Sequence, residues 1–374
     1  MRNTSTLPVI HSIGTAVPKF RIEQENHRSI LESANGRNRV ERLMLNKVFH
    51  KSGISSRYSV LEEFGREDLP SNLIFHPEKK IGPTSISKRM ELFEKHAPLL
   101  CAAAVRDCFR NDLFMLSKVT HLITFSCTGM SAPGIDISLI EELKLDRSVE
   151  RTCINFMGCY AGINALRMAG YIARSQPGAN VLVAGVEICT IHYQEIQTND
   201  QLIANALFAD GASAALVTSG LNSDRDHIGL AMSMFHSEFE PSGINEMAWR
   251  IGDFGFDIRL STYVPDLIRD NITRLLQKLF LKSGIDRKAI DWFAIHPGGV
   301  KILEACEKAL GISPEENRKA YETLNEFGNM SSVTVFFVLK KYFDALRAQD
   351  RGKKILSCAF GPGLTMESML LDVC

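Results

Sequence analysis

The feature of this sequence that most constrains its fold is an internal repeat. Three segments of the first half resemble three segments of the second half, in the same order, at a separation of about 170 to 174 residues. The pairs are VTHLITFS from Val119 with IDWFAIHP from Ile290, GCYAGINALRMAGYIA from Gly158 with GNMSSVTVFFVLKKYFD from Gly328, and NVLVAGVE from Asn180 with KILSCAFGPG from Lys354. The repeat predicts two similar halves, residues 1–225 and 226–374, packed into one unit. The alternative is that unrelated strands and helices resemble each other by chance.

The repeated segments belong to an alternation of strands and helices. Apolar runs bounded by Gly, Pro or Asn, such as RTCINFM and NVLVAGVE, alternate with helical stretches such as ISLIEELKL. Because these runs are apolar without interruption, they predict strands that are buried on both faces. The sequence therefore predicts an α/β fold.

Composition narrows the classes of function. Hydrophobic residues make up 45% of the chain and the formal net charge is zero, so we expect no nucleic-acid partner. The chain has no apolar run of about eighteen residues and no apolar leader, which predicts a cytoplasmic protein without membrane insertion. The nine cysteines include no C-x-x-C pair and no histidine completes a zinc spacing, so we expect free thiols and no metal site.

Cys159 is the first candidate for chemistry. It lies in Gly-Cys-Tyr-Ala-Gly, where small residues allow a sharp turn from a strand into a helix. A helix N-terminus carries partial positive charge, which lowers the pKa of a thiol and favours the reactive thiolate. The alternative is a small buried cysteine at a tight turn.

His296 and Asn329 are the two candidate partners of this thiol. His296 ends a strand at a Pro-Gly-Gly turn, and an imidazole is the usual partner of a nucleophilic cysteine. Asn329 follows a glycine at a helix start, where its amide can donate a hydrogen bond to a developing oxyanion. Each also has a structural alternative, since histidine at a turn and Asn at a helix N-cap are common.

A rigid turn near the C-terminus, Gly361-Pro362-Gly363, can brace a site by close approach of its backbone. The turn has no phosphate-loop spacing, so it adds nothing in favour of nucleotide binding.

These elements resemble the thiolase superfamily, and specifically the chalcone-synthase-like type III polyketide synthases. The resemblance covers nearly the whole chain and includes HSIGTAVP, THLITFSCTGMSAPGID, GCYAG, NALFADGASAALV, IHPGG, FGNMSS and FGPGLTMES. It implies a layered αβαβα fold built from two duplicated halves. It also implies that Cys159 carries the growing acyl chain, while His296 and Asn329 bind and decarboxylate a malonyl thioester. An imidazolium beside Cys159 would hold the thiolate at neutral pH.

The resemblance also implies roles for residues around the reaction centre. Phe208 matches an aromatic gatekeeper between a coenzyme A tunnel and the catalytic cavity, and Ile258 stands where the family has a second one. The substrates are coenzyme A thioesters, and no other cofactor is implied. The family is homodimeric, and Ala132 matches the loop residue that reaches the partner's cavity. Other implied contacts are Cys127, Thr128, Cys189, His192 and Trp249 at the cavity, Gly361 and Pro362 at the bracing turn, and Lys47 and Lys51 at the coenzyme A phosphates.

Departures from the family pattern favour an acyl starter. Ala359 replaces the glycine that plant members usually have before Phe-Gly-Pro-Gly, which suggests a bacterial-type member. Ile258 widens the passage and Trp249 narrows the pocket for an aromatic starter, so we expect a long fatty acyl starter and alkylpyrone or alkylresorcinol products.

Three alternative functions stay open at this point. A ketoacyl-carrier-protein synthase of the condensing-enzyme III kind uses the same Cys, His and Asn, although it favours glycine where Pro362 stands. A thiolase needs a second cysteine near the C-terminus, and Cys358 lacks the surrounding pattern. A catalytically inactive partner subunit would have lost Cys159, His296 or Asn329, and all three are present.

Overall fold

The computed structural model describes residues 7–33, 38–64, 84–194, 198–220, 228–261 and 263–374. The strands of the described residues, numbered in chain order, are β1 Val9–Ala16, β2 Phe20–Glu23, β3 Ser56–Ser59, β4 His121–Ser126, β5 Glu150–Asn155, β6 Asn180–Ile188, β7 Asp210–Thr218, β8 Leu230–Phe239, β9 Met247–Gly252, β10 Gly255–Leu260, β11 Trp292–Ile295, β12 Lys354–Gly361 and β13 Thr365–Val373.

The helices of the described residues are α1 Gln24–Ser33, α2 Arg39–His50, α3 Ile86–Cys108, α4 Leu113–Leu116, α5 Ile135–Leu143, α6 Ala161–Ser175, α7 Asn199–Leu207, α8 Val264–Ser283, α9 Val300–Leu310, α10 Arg318–Phe327 and α11 Thr334–Phe343. None of them is long and apolar enough to cross a membrane.

The main sheet has a nearly symmetrical strand order. Its order is β11-β12-β13-β8-β1-β7-β6-β4-β5, and the junction between the halves is β1 with β8, which share only two residue pairs. On each side of this junction an antiparallel pair leads to a parallel pair, which is β6 with β4 in one half and β12 with β11 in the other. The segments that resemble each other in sequence therefore occupy equivalent places in the two halves.

Two helices lie between the halves. Helix α6 contacts β4, β6 and β7 as well as β13, and α11 contacts β11 as well as β1 and β7. Each of the two helices thus packs on strands from both halves. Helix α6 approaches the turn before α11 closely, because a Cβ on Gly162 would lie 2.7 Å from the Ser332 carbonyl oxygen of that turn and 2.7 Å from the Phe336 ring of α11. Phe336 in turn stacks on Phe125 of β4, with ring centroids 5.6 Å apart.

Outer helices complete the layers. Helix α3 covers β1, β6 and β7 on one side, and α8 covers β8 and β13 on the other while packing on α9. This arrangement is the predicted thiolase-like αβαβα fold. The prediction that the strands are buried on both faces is wrong for β5. Most residues of β5 are exposed, because it is the edge strand of the sheet. The predicted boundary at residues 225 and 226 lies outside the described residues.

Candidate active site

One cavity of about 420 Å³ brings the three candidate catalytic residues together. Cys159, His296 and Asn329 line it, although Cys159 lies between β5 and α6, His296 between β11 and α9, and Asn329 between α10 and α11. Its outer part is lined by residues of α2, α7 and the first turns of α8 and α9. The cavity therefore leads from the surface to the place where the two halves meet.

Cys159 is held by a tight turn just before α6. Gly158 has φ +91°, a backbone conformation that other residues rarely adopt, and a Cβ there would lie 2.1 Å from Pro362. A Cβ on Gly361 would lie 3.2 Å from the Cys159 backbone nitrogen. The Gly361-Pro362-Gly363 turn thus packs directly against the Cys159 turn, and Pro362 lines the cavity as well.

His296 follows β11, and its backbone continues the strand pairing. The His296 N–H donates to the Cys358 carbonyl of β12 at 2.8 Å. The imidazole is buried, and neither ring nitrogen has a hydrogen-bond partner among the described residues. Burial lowers the pKa of His296 to about 3. The ring is therefore neutral at pH 7, and both nitrogens are available to a substrate.

Asn329 is fixed by the segment that carries the predicted gatekeeper. Its N–H donates to the Leu207 carbonyl at 2.9 Å, and its carbonyl accepts from the Ala209 N–H at 2.9 Å, so it pairs on either side of Phe208. The side-chain oxygen accepts from the Ser331 N–H at 2.9 Å. This bond makes the Oδ1 atom the acceptor and turns Nδ2 toward Gly298, whose carbonyl lies at 3.3 Å.

Burial opposes the predicted thiolate–imidazolium pair in the site without substrate. Burial raises the pKa of the Cys159 thiol to about 12, while the pKa of His296 is lowered. Both groups lose solvation without a neighbouring charge of opposite sign to compensate, so each stays neutral. The site at rest therefore contains a thiol beside a neutral imidazole and a neutral amide.

The sequence analysis did not identify a buried carboxyl group near Cys159, that of Glu187. Glu187 is fully buried and accepts hydrogen bonds from the hydroxyl groups of Thr128 and Ser332 and from the Cys127 N–H. Burial raises the pKa of this carboxyl group. An acidic residue inside the apolar run VLVAGVEI is the signal that could have identified it.

Most predicted wall residues do line the cavity: Cys127, Thr128, Cys189, Phe208, Trp249 and Ile258. The Trp249 indole N–H donates to the Cys127 carbonyl at 2.8 Å, which fixes the ring on the wall. Cys189, Phe208, Trp249 and Ile258 also line a second cavity of about 320 Å³ on the other side of that wall.

His192 is placed differently from the prediction. It lines the second cavity and is absent from the lining of the catalytic one. Its Nε2–H donates to the Thr128 carbonyl at 2.6 Å, its Nδ1 accepts from the Phe256 N–H at 3.2 Å, and its ring stacks on Phe256. Cys189, at the start of the 3-10 turn Cys189–His192, lines both cavities, whereas His192, at its end, lines only the second, so His192 has a structural place beside the wall.

The cavity mouth carries lysines. Lys47 of α2 and Lys51, directly after α2, line it as predicted, and Lys301 lines it from the first turn of α9. Sequence reasoning missed Lys301, although a lysine two residues after Gly-Gly at a helix start was a usable signal. Ala132 is exposed and lies outside the lining of this chain's own cavity. Among the described residues no three His, Cys, Asp or Glu side chains gather to hold a metal ion.

Two family models match almost the whole chain. Residues 2–221 match the N-terminal domain of chalcone and stilbene synthases, and residues 231–374 match the C-terminal domain of the same family.

Curated relatives and solved structures agree with these matches. The chain is 28% identical to the alpha-pyrone synthesis polyketide synthase-like Pks18 of Mycobacterium tuberculosis, over 99% of this chain and 92% of the relative. It is 29% identical to a probable polyketide synthase of Dictyostelium discoideum, over 96% of this chain but 11% of that protein. It resembles the crystal structure of PKS-I from the brown alga Ectocarpus siliculosus with a TM-score of 0.91, 27% identity and full coverage of both chains. The type III polyketide synthase domain of Steely1 from Dictyostelium gives a TM-score of 0.85 at 27% identity, covering 98% of this chain and 99% of that one.

The buried histidines predict that the protein loses stability in mild acid. Burial lowers the pKa of His192 to about 3, whereas a histidine of the unfolded chain has a pKa near 6.5. Between these two values only the unfolded state binds the proton, so acidification favours unfolding by up to about 1.4 kcal/mol per pH unit for each such histidine. We expect His192→Gln to reduce the slope of the unfolding free energy between pH 6 and pH 5, measured by urea denaturation. The exposed His50, replaced by Gln, serves as the control, and equal slopes in both variants would contradict the interpretation.

Proposed function

The chain belongs to the chalcone and stilbene synthase family of type III polyketide synthases, and on that basis we propose which residues perform each step of its condensation reaction. In the proposal an acyl-coenzyme A starter is loaded on Cys159, extended repeatedly with malonyl-coenzyme A and cyclised. The observation that carries the proposal is one cavity that holds a thiol, a carboxamide and an imidazole that makes no hydrogen bond to any described residue. No metal or further cofactor takes part in the proposed steps.

Loading begins with a proton transfer between two neutral groups. The Cys159 thiol gives its proton to the imidazole of His296, and the thiolate attacks the carbonyl carbon of the starter thioester. The bond between that carbon and the coenzyme A sulfur breaks, and the leaving thiolate takes the proton back from the imidazolium. A neutral imidazole at rest suits this role, because it can accept a proton at the moment when the thiol loses one.

Extension requires hydrogen-bond donors for an enolate. Loss of carbon dioxide from the malonyl thioester leaves the bonding electron pair on the α-carbon, and the negative charge is shared with the thioester oxygen. Nδ2 of Asn329 and the N–H of the neutral His296 ring can donate to this oxygen without adding a net charge. The α-carbon then attacks the carbonyl carbon of the acyl group on Cys159. The bond between that carbon and the Cys159 sulfur breaks, and Cys159 is released as the free thiolate for the next cycle.

The lining supports the proposal of a long acyl starter. Apolar side chains of α7, α8 and the β10 strand surround the passage, and they include Leu202, Leu207, Ile258 and Ile268. Such a surface favours an alkyl chain, since each buried methylene group contributes about 0.8 kcal/mol. The Mycobacterium relative is named for alpha-pyrone synthesis, which agrees with alkylpyrone products. We therefore propose alkylpyrones or alkylresorcinols as the products of this chain.

Product analysis tests the proposed function. We expect the wild type, incubated with malonyl-coenzyme A and a series of fatty acyl-coenzyme A starters, to release multiply extended pyrones or resorcinols. Intact-protein mass spectrometry should show the acyl mass on the wild type and none on Cys159→Ala.

Two outcomes would contradict this assignment. Turnover that requires a carrier protein and stops after one condensation would support the condensing-enzyme III alternative. Absence of turnover with every starter would support an inactive partner subunit.

The lysines at the mouth support binding of the coenzyme A phosphates. Lys47, Lys51 and Lys301 approach the opening from two different helices, and the first-turn N–H groups of α9 add partial positive charge. We expect Lys301→Ala to raise KM for malonyl-coenzyme A about two- to fivefold with little change in kcat, because an exposed ion pair contributes up to about 1 kcal/mol. The increase should shrink at high ionic strength. Lys308→Ala, at the other end of α9, is the matched control, and equal KM values for both variants would contradict the role of Lys301.

We also propose that the enzyme is a homodimer. The edge strand β5 is exposed, and α6, which follows it, exposes the apolar side chains of Met168 and Tyr171. A second copy that covers these surfaces would place the exposed Ala132 loop near its partner's cavity. Analytical ultracentrifugation should give twice the chain mass of 41.7 kDa. Tyr171→Glu should shift the protein toward the single-chain mass, and a wild type that sediments as one chain would contradict the proposal.

A further inference from the structure

Arg57 is buried at the end of the helix that leads to the predicted gatekeeper. It belongs to β3 and is 4% exposed. Its Nη1 donates to the Asn205 carbonyl at 2.9 Å and to the Phe208 carbonyl at 2.7 Å. The last carbonyl groups of a helix have no partner within the helix. Arg57 therefore caps α7, which ends at Leu207 and has Phe208 as its C-cap residue.

The charge of the guanidinium group suits this place. A helix C-terminus carries partial negative charge, which favours a cation beside it. Burial lowers the pKa of Arg57 to about 10, so the group remains protonated at pH 7. Because burial also removes the water that would solvate this cation, it depends on its hydrogen bonds to the Asn205 and Phe208 carbonyl groups. These contacts therefore fix the end of α7.

The methylene stem of Arg57 packs against the residue before Asn329. A Cβ on Gly328 would lie 2.9 Å from Cγ and 3.0 Å from Cδ of Arg57. In the same strand, the Ser56 hydroxyl donates to the Glu326 carbonyl of α10 at 2.9 Å. Strand β3 thus contacts both the segment that leads to Asn329 and the end of α7.

Phe208 and Asn329 are themselves paired. Asn329 donates its N–H to the Leu207 carbonyl and accepts from the Ala209 N–H, each at 2.9 Å, so any shift of Phe208 also shifts Asn329. Arg57 lines the second cavity and is absent from the lining of the catalytic one. Its effect on a substrate in the catalytic cavity therefore passes through Phe208 and Asn329.

We propose that Arg57 is a positioning residue for the decarboxylation step. Its hydrogen bond fixes Phe208, and the pairing of Phe208 with Asn329 fixes the amide that donates to the enolate oxygen. The turn that carries Cys159 is held by the Gly361-Pro362-Gly363 turn instead, so loading of the starter depends less on Arg57. The proposal rests on the proposed function, in which Asn329 is one of the two enolate donors.

Two variants remove the hydrogen bonds to different extents. Arg57→Met keeps an apolar stem and removes the charge and the donors, while Arg57→Lys keeps the charge and can still donate from its ammonium group. Arg287→Met is the matched control, because Arg287 also donates to two carbonyl groups at the end of a helix. Its Nε–H donates to the Leu310 carbonyl at 2.6 Å and its Nη2 to the Gly311 carbonyl at 2.7 Å, at the end of α9 that does not line the catalytic cavity.

Two steps are measured in each variant. Decarboxylation is followed as acetyl-coenzyme A formed from malonyl-coenzyme A without a starter, since the enolate takes up a proton when no acyl group is present. Loading is followed as the rate at which the acyl mass appears on Cys159 after mixing with a fatty acyl-coenzyme A.

We expect decarboxylation to be the step that responds. Arg57→Met should lower its kcat about 10- to 100-fold, because a misplacement of about 1 Å can cost that much. Arg57→Lys should lower it about three- to tenfold, since one donor is retained. KM for malonyl-coenzyme A should change less than about twofold, as for an interaction made in the transition state. The loading rate should also stay within about twofold of the wild type.

The outcomes are distinct. Slower decarboxylation with unchanged loading in the Arg57 variants, and neither step changed in Arg287→Met, supports the proposal. Wild-type decarboxylation in the Arg57 variants would overturn it, and so would an equal loss of both steps, which indicates general damage to the fold. If Arg57→Met does not fold, Arg57→Lys decides by the same criteria. Failure of the wild type to decarboxylate malonyl-coenzyme A would instead overturn the proposed function, and the role of Arg57 with it.

Discussion

The active site depends on the close approach of helix α6 to the start of helix α11 and to the turn before it. They approach each other at Gly162, where any side chain would collide with the Ser332 carbonyl or the Phe336 ring. Each helix begins with a turn that carries a reactive group, so this approach brings Cys159 and Asn329 to the same cavity. The third group, His296, arrives from β11 of the second half. A duplicated architecture thus produces one site from two equivalent turns that carry different residues.

Burial determines the charge state of this site. The surrounding strands and helices exclude water from Cys159 and His296, and a desolvated group prefers its neutral form when no opposite charge is near. Neutral groups suit a reaction in which charge appears only transiently, first on sulfur and then on an enolate oxygen. In the proposed reaction an amide and an imidazole N–H donate to these charges, and neither adds a permanent charge.

The tertiary structure also explains which sequence predictions about the cavity were correct and which were not. Cys127 and Cys189 line the cavity as predicted, because each directly follows a strand whose direction is set by its buried apolar run. His192 was misplaced because the 3-10 turn after β6 leads away from the catalytic cavity, so that Cys189 at its start lines both cavities and His192 at its end lines only the second. Lys301 was missed because its position at the mouth depends on α9 and α2 lining the same cavity. These two helices lie far apart in the chain.

The sequence by itself determined the α/β alternation, the internal repeat, the family and the candidate residues for the chemistry. These features depend on local patterns of apolar residues, on glycines at sharp turns and on short motifs, and each can be read within a few neighbouring positions. Only the tertiary structure decided the charge states of Cys159 and His296, the contact of Arg57 with the Phe208 carbonyl and the course of the cavity wall. Those properties depend on desolvation and on distances between segments far apart in sequence, which no local pattern specifies.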